Sequence, residues 1–210
     1  RGSHQHFDVG TMSIPKKMTP KLAYWLSLLI SEGSTMGEDP YILQKGLARG
    51  ITFSNTDKRL VVRFIELAKE LFAIKAGSLS SRTAAEINAS CSNPEAFQAT
   101  KTNYSTFIAN RRLVDWLTAI GVYLKPGRID GKTPSYFKQV PWSVLQADEE
   151  SQRAFLAGYA ECDGSISERT VWLSKSKDLL AQIRAILNSH GYQSTAWKED
   201  VLALNREDSE

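Results

Sequence analysis

Two carboxylic acids close two stretches that are otherwise small and apolar: Glu32 in KLAYWLSLLISEGS and Asp163 in FLAGYAECDGSIS. A glycine follows each, Gly33 and Gly164. If both stretches are helices, each acid sits in the last turn, beside unpaired carbonyls and at the negative end of the helix dipole. A carboxylate is unfavourable there unless a cation stands beside it, and carboxylates are the ligands that hard divalent ions such as Mg2+ take. Taken alone, an Asp before a Gly also fits an exposed turn. The repetition argues for more.

Aligned on itself at an offset of 131 residues, the chain places Glu32 on Asp163, Gly33 on Gly164, Ser34 on Ser165 and Tyr24 on Phe155. Thr19 caps the first expected helix, with Pro20 at its first position, and Asp148 caps the second near Glu149. Gly164 reads as a left-handed C-terminal stop. Both helices are apolar nearly all round, which places them at the centre of the fold. Each carries small residues every fourth position: Ala23, Ser27 and Ser31 in one, Ala154, Gly158 and Cys162 in the other. Such stripes let two backbones approach closely. Packed on each other about a pseudo-twofold axis, they would bring the two acids together, and two like charges there require divalent cations between or beside them.

The rest of the chain bounds this reading. With 210 residues and 42% hydrophobic content it can bury a core as one domain or two small ones. A net charge of +3 permits an anionic partner without demanding one. Cys91 and Cys162 form neither a CxxC pair nor a zinc spacing, so a reducing intracellular compartment such as the cytoplasm is expected. The longest apolar run, residues 22–30, is far short of the roughly 20 residues a membrane helix needs. RGSHQHF reads as a tag remnant, which sets aside His4 and His6 and leaves His190 alone. One histidine supports neither a Ser/His/Asp triad nor a histidine-rich zinc site.

At these residues the sequence resembles the LAGLIDADG homing endonuclease family. LAGYAECDG, residues 156–164, matches five of that motif's nine positions, with Glu161 in place of the first Asp; WLSLLISEG, residues 25–33, is more divergent but keeps the acid and glycine. After each motif comes a strand candidate and an amphipathic helix, in ITFSNTDKRLVVRFIELAKELF and VWLSKSKDLLAQIRAILNSHGY. Leu60, Phe64, Leu67 and Ala68 fall on Leu179, Ile183, Ile186 and Leu187 at an offset of 119. The extra length of the first half lies in residues 35–50, a longer hairpin. TNYSTFIAN then reads as a strand and RRLVDWLTAIGV as a helix with Leu113, Trp116, Leu117 and Ile120 on one face. Residues 77–101 read as a long polar loop or insertion without a second-half counterpart. DVLALN is the last strand, and the second half stops short of the family's final helix.

The resemblance implies an α+β fold of two pseudo-twofold-related α-β-β-α-β-β(-α) halves, with paired central LAGLIDADG helices and saddle-shaped antiparallel sheets. The expected division is a tag-like leader at 1–12, a first half at 13–125, a connection at 126–147 and a second half at 148–210. The connection resembles that of the intein-type branch, where a lysine precedes an apolar residue and a proline: here Lys138, Val140 and Pro141. Alone, Lys138 reads as a solvated lysine before a turn. By resemblance it stabilises charge on the scissile phosphate or organises the attacking water. The second half offers only Lys198 as its partner. Self-splicing is unsupported, because the terminal residues that it requires are not found here.

The function implied is a site-specific DNA endonuclease, monomeric, cutting both strands of a long double-stranded site with Mg2+ or Mn2+, Ca2+ being a non-catalytic substitute. Glu32 and Asp163 would bind the metal with backbone carbonyls near Gly33 and Gly164. The strands would lie along the major groove, with Lys45, Arg49, Arg82, Lys101, Asn103, Ser105, Arg169 and Lys175 as candidate contacts. The alternatives from the same fold are a maturase-like nucleic-acid-binding protein without cleavage and a single-strand nicking enzyme. An unrelated α+β protein with an accidental helix pair is the third reading.

Overall fold

The computed structural model describes residues 12–36, 49–75, 77–91, 98–122, 134–166, 169–198 and 200–205. The first half runs α1 (Pro20–Glu32), β1 (Gly33–Met36), β2 (Gly50–Asn55), α2 (Lys58–Phe72), β3 (Ser80–Arg82), α3 (Ala84–Ala89), β4 (Asn103–Ala109) and α4 (Arg111–Ala119). A 3-10 turn (Pro134–Phe137) and the short α5 (Trp142–Leu145) connect it to α6 (Glu149–Asp163), β5 (Gly164–Ile166), β6 (Thr170–Leu173), α7 (Lys177–Ser189), β7 (Ser194–Lys198) and β8 (Val201–Leu204). Both sheets are antiparallel with equivalent orders, β1-β2-β4-β3 and β5-β6-β8-β7. The fold is α+β with two matching halves, as expected. Among the described residues no helix is long and apolar enough to cross a membrane.

The caps form where the sequence places them. Thr19 Oγ1 accepts from Leu22 N at 3.3 Å, with Pro20 filling a position whose N–H would be unpaired. Asp148 accepts from Ser151 N at 2.8 Å, and Glu149 and Glu150 favour the positive end of the α6 dipole. Asp57 and Ser176 cap the amphipathic α2 and α7, whose apolar faces cover the sheets. Leu113 and Leu117 of α4 are buried as patterned; Trp116 and Ile120 are half-buried, and Ile120 falls just past the helix. One buried cluster runs through both halves and is stiffened by the stack Trp25–Phe64 (4.9 Å) and Phe53–Phe64 (4.5 Å).

α1 and α6 share the most extensive helix–helix contact among the described residues. The stripes meet in register: a Cβ added to Gly158 would lie 2.2 Å from Ser27 Oγ, and Cys162 hydrogen-bonds Ser31. Since Ser27 meets Gly158 and Ser31 meets Cys162, the helices run parallel and end at the same level.

Four expectations need correction. The glycines after the acids are not left-handed stops: Gly33 (φ −90°, ψ 164°) and Gly164 (φ −154°, ψ −157°) are extended and open β1 and β5. They are needed for close approach instead, because a Cβ would stand 2.3 Å from Leu29 O at Gly33 and 2.2 Å from Val171 O at Gly164. Residues 77–101 are not a plain loop, since they hold β3 and α3, the latter closed by a capping box between Thr83 and Glu86. Nor is this stretch wholly without counterpart, since β3 occupies the edge position that β7 takes in the second sheet. Met12, placed in the leader, packs half-buried against the core. Residues 37–48 of the longer hairpin and 206–210 lie outside the described residues.

Gly158→Val should cost about 2 kcal/mol of stability by overpacking the helix interface. Urea unfolding checks this, and an unchanged midpoint would mean that the helices are not in close contact.

Candidate active site

The parallel packing of α1 and α6 delivers Glu32 and Asp163 to one cleft. The two carboxyl groups are close enough that the charge of each acts on the other. The Glu32 carboxyl is accordingly pushed up from 4.5 to about 7, first by loss of hydration between the helix ends and next by the Asp163 charge. Glu32 keeps solvent-exposed surface, so water screens part of this effect.

Lys138 completes the cluster. Its Nζ donates to Asp163 Oδ2 at 3.0 Å and to the Ser31 carbonyl of the facing helix, joining the two helix ends with one ammonium. These side chains are only 19% and 25% exposed, so the ion pair is largely removed from solvent screening. The lysine's backbone is held by Ser176 Oγ, which donates to Lys138 O at 2.6 Å, and by Val140 N, which donates to Gln182 Oε1 at 2.7 Å. The cation therefore comes from a fixed segment.

Tyr159 and Ser31 join the site without having been singled out for it. The buried Tyr159 hydroxyl lies 3.2 Å from Asp163 Oδ2 and 3.3 Å from Leu173 O, and burial with the adjacent Asp163 charge pushes its pKa upward. It sits one helical turn before Asp163, a spacing that places both on one face, but within an apolar helix it reads as core. Burial pushes the Cys162 thiol up to about 12, which makes it an inert packing residue.

The donor set can be tested against a divalent ion. Among the described residues no group of three or more His, Cys, Asp or Glu could hold a metal. Two carboxylates with surplus negative charge and a carbonyl already facing a cation do fit a hard, oxygen-seeking ion whose remaining positions go to water and phosphate. Gly33 and Gly164 pair with Phe53 and Trp172 as the first residues of their strands. A cavity of about 740 Å³ is lined by Tyr24, Arg59, Arg63 and Glu161, with neither acid in its lining. His190 pairs with Gln152 at 2.6 Å, away from the acids in its contacts.

The candidate nucleic-acid contacts do not converge on the acids. Asn103 and Ser105 line the open face of the first sheet; Arg82 joins them from β3, with its guanidinium donating to Ser90 Oγ and Glu86 O. Arg82, Lys101 and Asn103 share a cavity of about 370 Å³. Arg49 precedes β2 and Arg169 precedes β6, both half-buried. Lys175 lies over the Tyr136 ring at 5.6 Å. Lys45 and the Lys198 side chain lie outside the described residues.

Comparison with known proteins agrees with this geometry. Residues 150–206 match the LAGLIDADG-like domain family. Mesophilic variants of the homing endonuclease I-DmoI have the same fold, with a TM-score of 0.60 at 15% identity over 92% of this chain and 88% of that one. I-DmoI in complex with DNA and Mn gives 0.58 at 15% identity over 90% and 92%, and its complex with DNA and Ca gives 0.56 at 14% over 92% and 87%. The chain therefore has the fold of this homing endonuclease, and residues 150–206 are similar to LAGLIDADG-like domains. The replication factor C small subunit of Methanocaldococcus jannaschii is 26% identical over 165 residues, 77% of this chain but 7% of that protein. The chain thus spans a small fraction of that relative's length.

The Glu32 shift has a testable sign. Its folded pKa lies above its unfolded one, so the folded state holds the extra proton between about 4.5 and 7 and loses stability as pH rises through that window. Glu32→Gln should therefore stabilise the metal-free protein at pH 8 by about 1 kcal/mol, allowing for screening, and do nothing at pH 4. Urea midpoints at the two pH values decide it; no gain at pH 8 would show that the carboxyl is not strained by its neighbours.

Proposed function

We propose that the chain is a metal-dependent DNA endonuclease that cuts both strands of a long duplex site, Glu32 principally serving one strand and Asp163 the other. The observation that carries this is the meeting of the two acids and Lys138 at paired helix ends. Phosphodiester hydrolysis needs an activated water, neutralised phosphate charge and help for the departing 3′ oxygen; a bound Mg2+ supplies these. The chain's own residues do the rest. Glu32 and Asp163 hold the ion with carbonyls of the helix ends near Gly33 and Gly164, and Tyr159 fixes the Asp163 carboxylate by its hydroxyl. Lys138 presents its ammonium from a rigid segment, where it can meet the charge that develops on the phosphate.

Because one chain contributes both acids, it acts as a monomer of two half-domains, residues 13–125 and 148–210, joined by a connection over 126–147. The sheets that begin at Gly33 and Gly164 lie along the duplex, with Arg49, Arg82, Lys101, Asn103, Ser105, Arg169 and Lys175 among their contacts. The match to a small fraction of a long replication protein suits an element carried within another gene's product.

A second reading has one observation in its favour. Lys138 donates to Asp163 and to the Ser31 carbonyl, so its direct carboxylate bond is to one of the two acids. That asymmetry suits an enzyme that nicks one strand. A randomised duplex library bound and then incubated with Mg2+ separates the possibilities. Wild type should yield linear breaks, while Asp163→Asn and Glu32→Gln should keep binding and lose cleavage by about 10²-fold or more. Breaks confined to one strand would establish nicking; binding without any break would leave a maturase-like protein. Binding should also weaken steeply with salt, as phosphate contacts require.

A further inference from the structure

The two sheets match in topology but not in the chemistry of their open faces. In an antiparallel sheet, paired residues share a face, so the registers assign each side chain. In the first sheet the row through Gly33 and Phe53 points to the core, with Phe53 fully buried. The next row, on the open face, is Ser34–Thr52–Phe107, and beyond it Ser54–Ser105–Ser80. These hydroxyls face one another: Ser34 Oγ and Thr52 Oγ1 are 2.6 Å apart, Ser80 Oγ and Ser105 Oγ 2.8 Å. Phe107, 37% exposed, is the apolar exception.

In the second sheet Gly164 and Trp172 form the core-facing row. The equivalent rows are Ser165–Val171–Ala203–Thr195 and Leu173–Val201–Lys198, in which Ala203 is buried and Val171 and Val201 are half-buried. By topology Val171 therefore stands where the first sheet has Thr52, and Leu173 and Val201 stand where it has Ser54 and Ser105. Leu173 is 42% exposed, so the substitution leaves much of an apolar side chain in water. A monomer gains nothing from that unless the face meets an apolar partner. Both sheets start from the paired acids, so whatever duplex reaches the acids extends over both faces.

We propose that the two sheets read their half-sites by different chemistry: the first by hydrogen bonds from its hydroxyls to base edges, the second by apolar contact of Val171, Leu173 and Val201 with thymine 5-methyl groups. The major groove offers both kinds of feature, donors and acceptors on every pair and a methyl on each thymine. The inference rests on the DNA-binding reading above. It makes the target inherently lopsided, with its second half-site enriched in A·T pairs.

The test selects duplexes that bind the full chain in Ca2+ from a random library, then replaces thymine by uracil in one half at a time. Each methyl removed beneath the second sheet should weaken binding roughly fourfold, whereas uracil in the other half should change affinity less than twofold. Leu173→Ser, an exposed substitution that copies the first sheet, identifies the half concerned: it should reduce the uracil penalty there, by the share of the thymine that Leu173 meets, and leave the other half unchanged. Equal penalties in both halves, no penalty in either, or a penalty untouched by Leu173→Ser would overturn the proposal while leaving the DNA-binding reading intact. Failure to select any duplex would overturn both.

Discussion

Everything at the candidate site depends on how closely two helix backbones can approach. α1 and α6 pack this closely because Gly158 has no side chain where Ser27 Oγ stands and because Ser31 and Cys162 are small enough to touch. A parallel pair aligns the helix dipoles, so both negative ends, both sets of unpaired carbonyls and both acids fall at one level. Core burial at this seam more than offsets that repulsion: nearly every residue of α1 from Leu22 to Ser31 is buried. The hydrophobic effect thus holds together a concentration of negative charge that would not form otherwise.

That charge is only partly balanced within the protein. Lys138 bonds to Asp163 and the Ser31 carbonyl, while burial and the Asp163 charge keep the Glu32 carboxyl hard to ionise. A cleft with one ammonium for two carboxylates and two helix ends keeps a net attraction for a further cation. The preorganisation is in the backbone, since the lysine's segment is tied to α7 by Ser176 and Gln182 and the acids are fixed by helix packing. Little rearrangement is then needed when a cation and a phosphate arrive, which is the condition under which electrostatic stabilisation is most effective.

Local chemistry made much of this readable from sequence. Thr19 with Pro20 and Asp148 each have a capping partner within three residues, so the two central helices declare themselves. The acid pair was legible through repetition, and Lys138 through resemblance; its distance to Asp163 was not, because a connection's path depends on tertiary packing. β1, β3 and β7 are short or edge strands whose existence depends on a neighbour. The glycines illustrate the same limit: an acid–glycine pair at a helix end suggests a left-handed stop, but the strand that crosses Gly164 brings Val171 O so close that the requirement is for space. α3 was different, since Thr83 and Glu86 spell its capping box. None of its residues is buried, so no apolar period drew attention to it.

Duplication explains what the halves share, and the demands of a duplex explain where they part. The core-facing rows are near equivalents: Trp172 of the second sheet takes the place of Phe53, and each half buries a tryptophan whose indole N–H reaches a backbone oxygen, Trp25 to Phe64 O and Trp172 to Leu156 O. Packing tolerates few alternatives there. The open faces are under no such constraint, and they have diverged from serine to leucine and valine while the strand order stayed fixed. A surface free of packing demands keeps an exposed leucine beside half-buried valines only where something outside the fold rewards it, and in a molecule whose two sheets both start from the paired acids the candidate is the ligand that spans both.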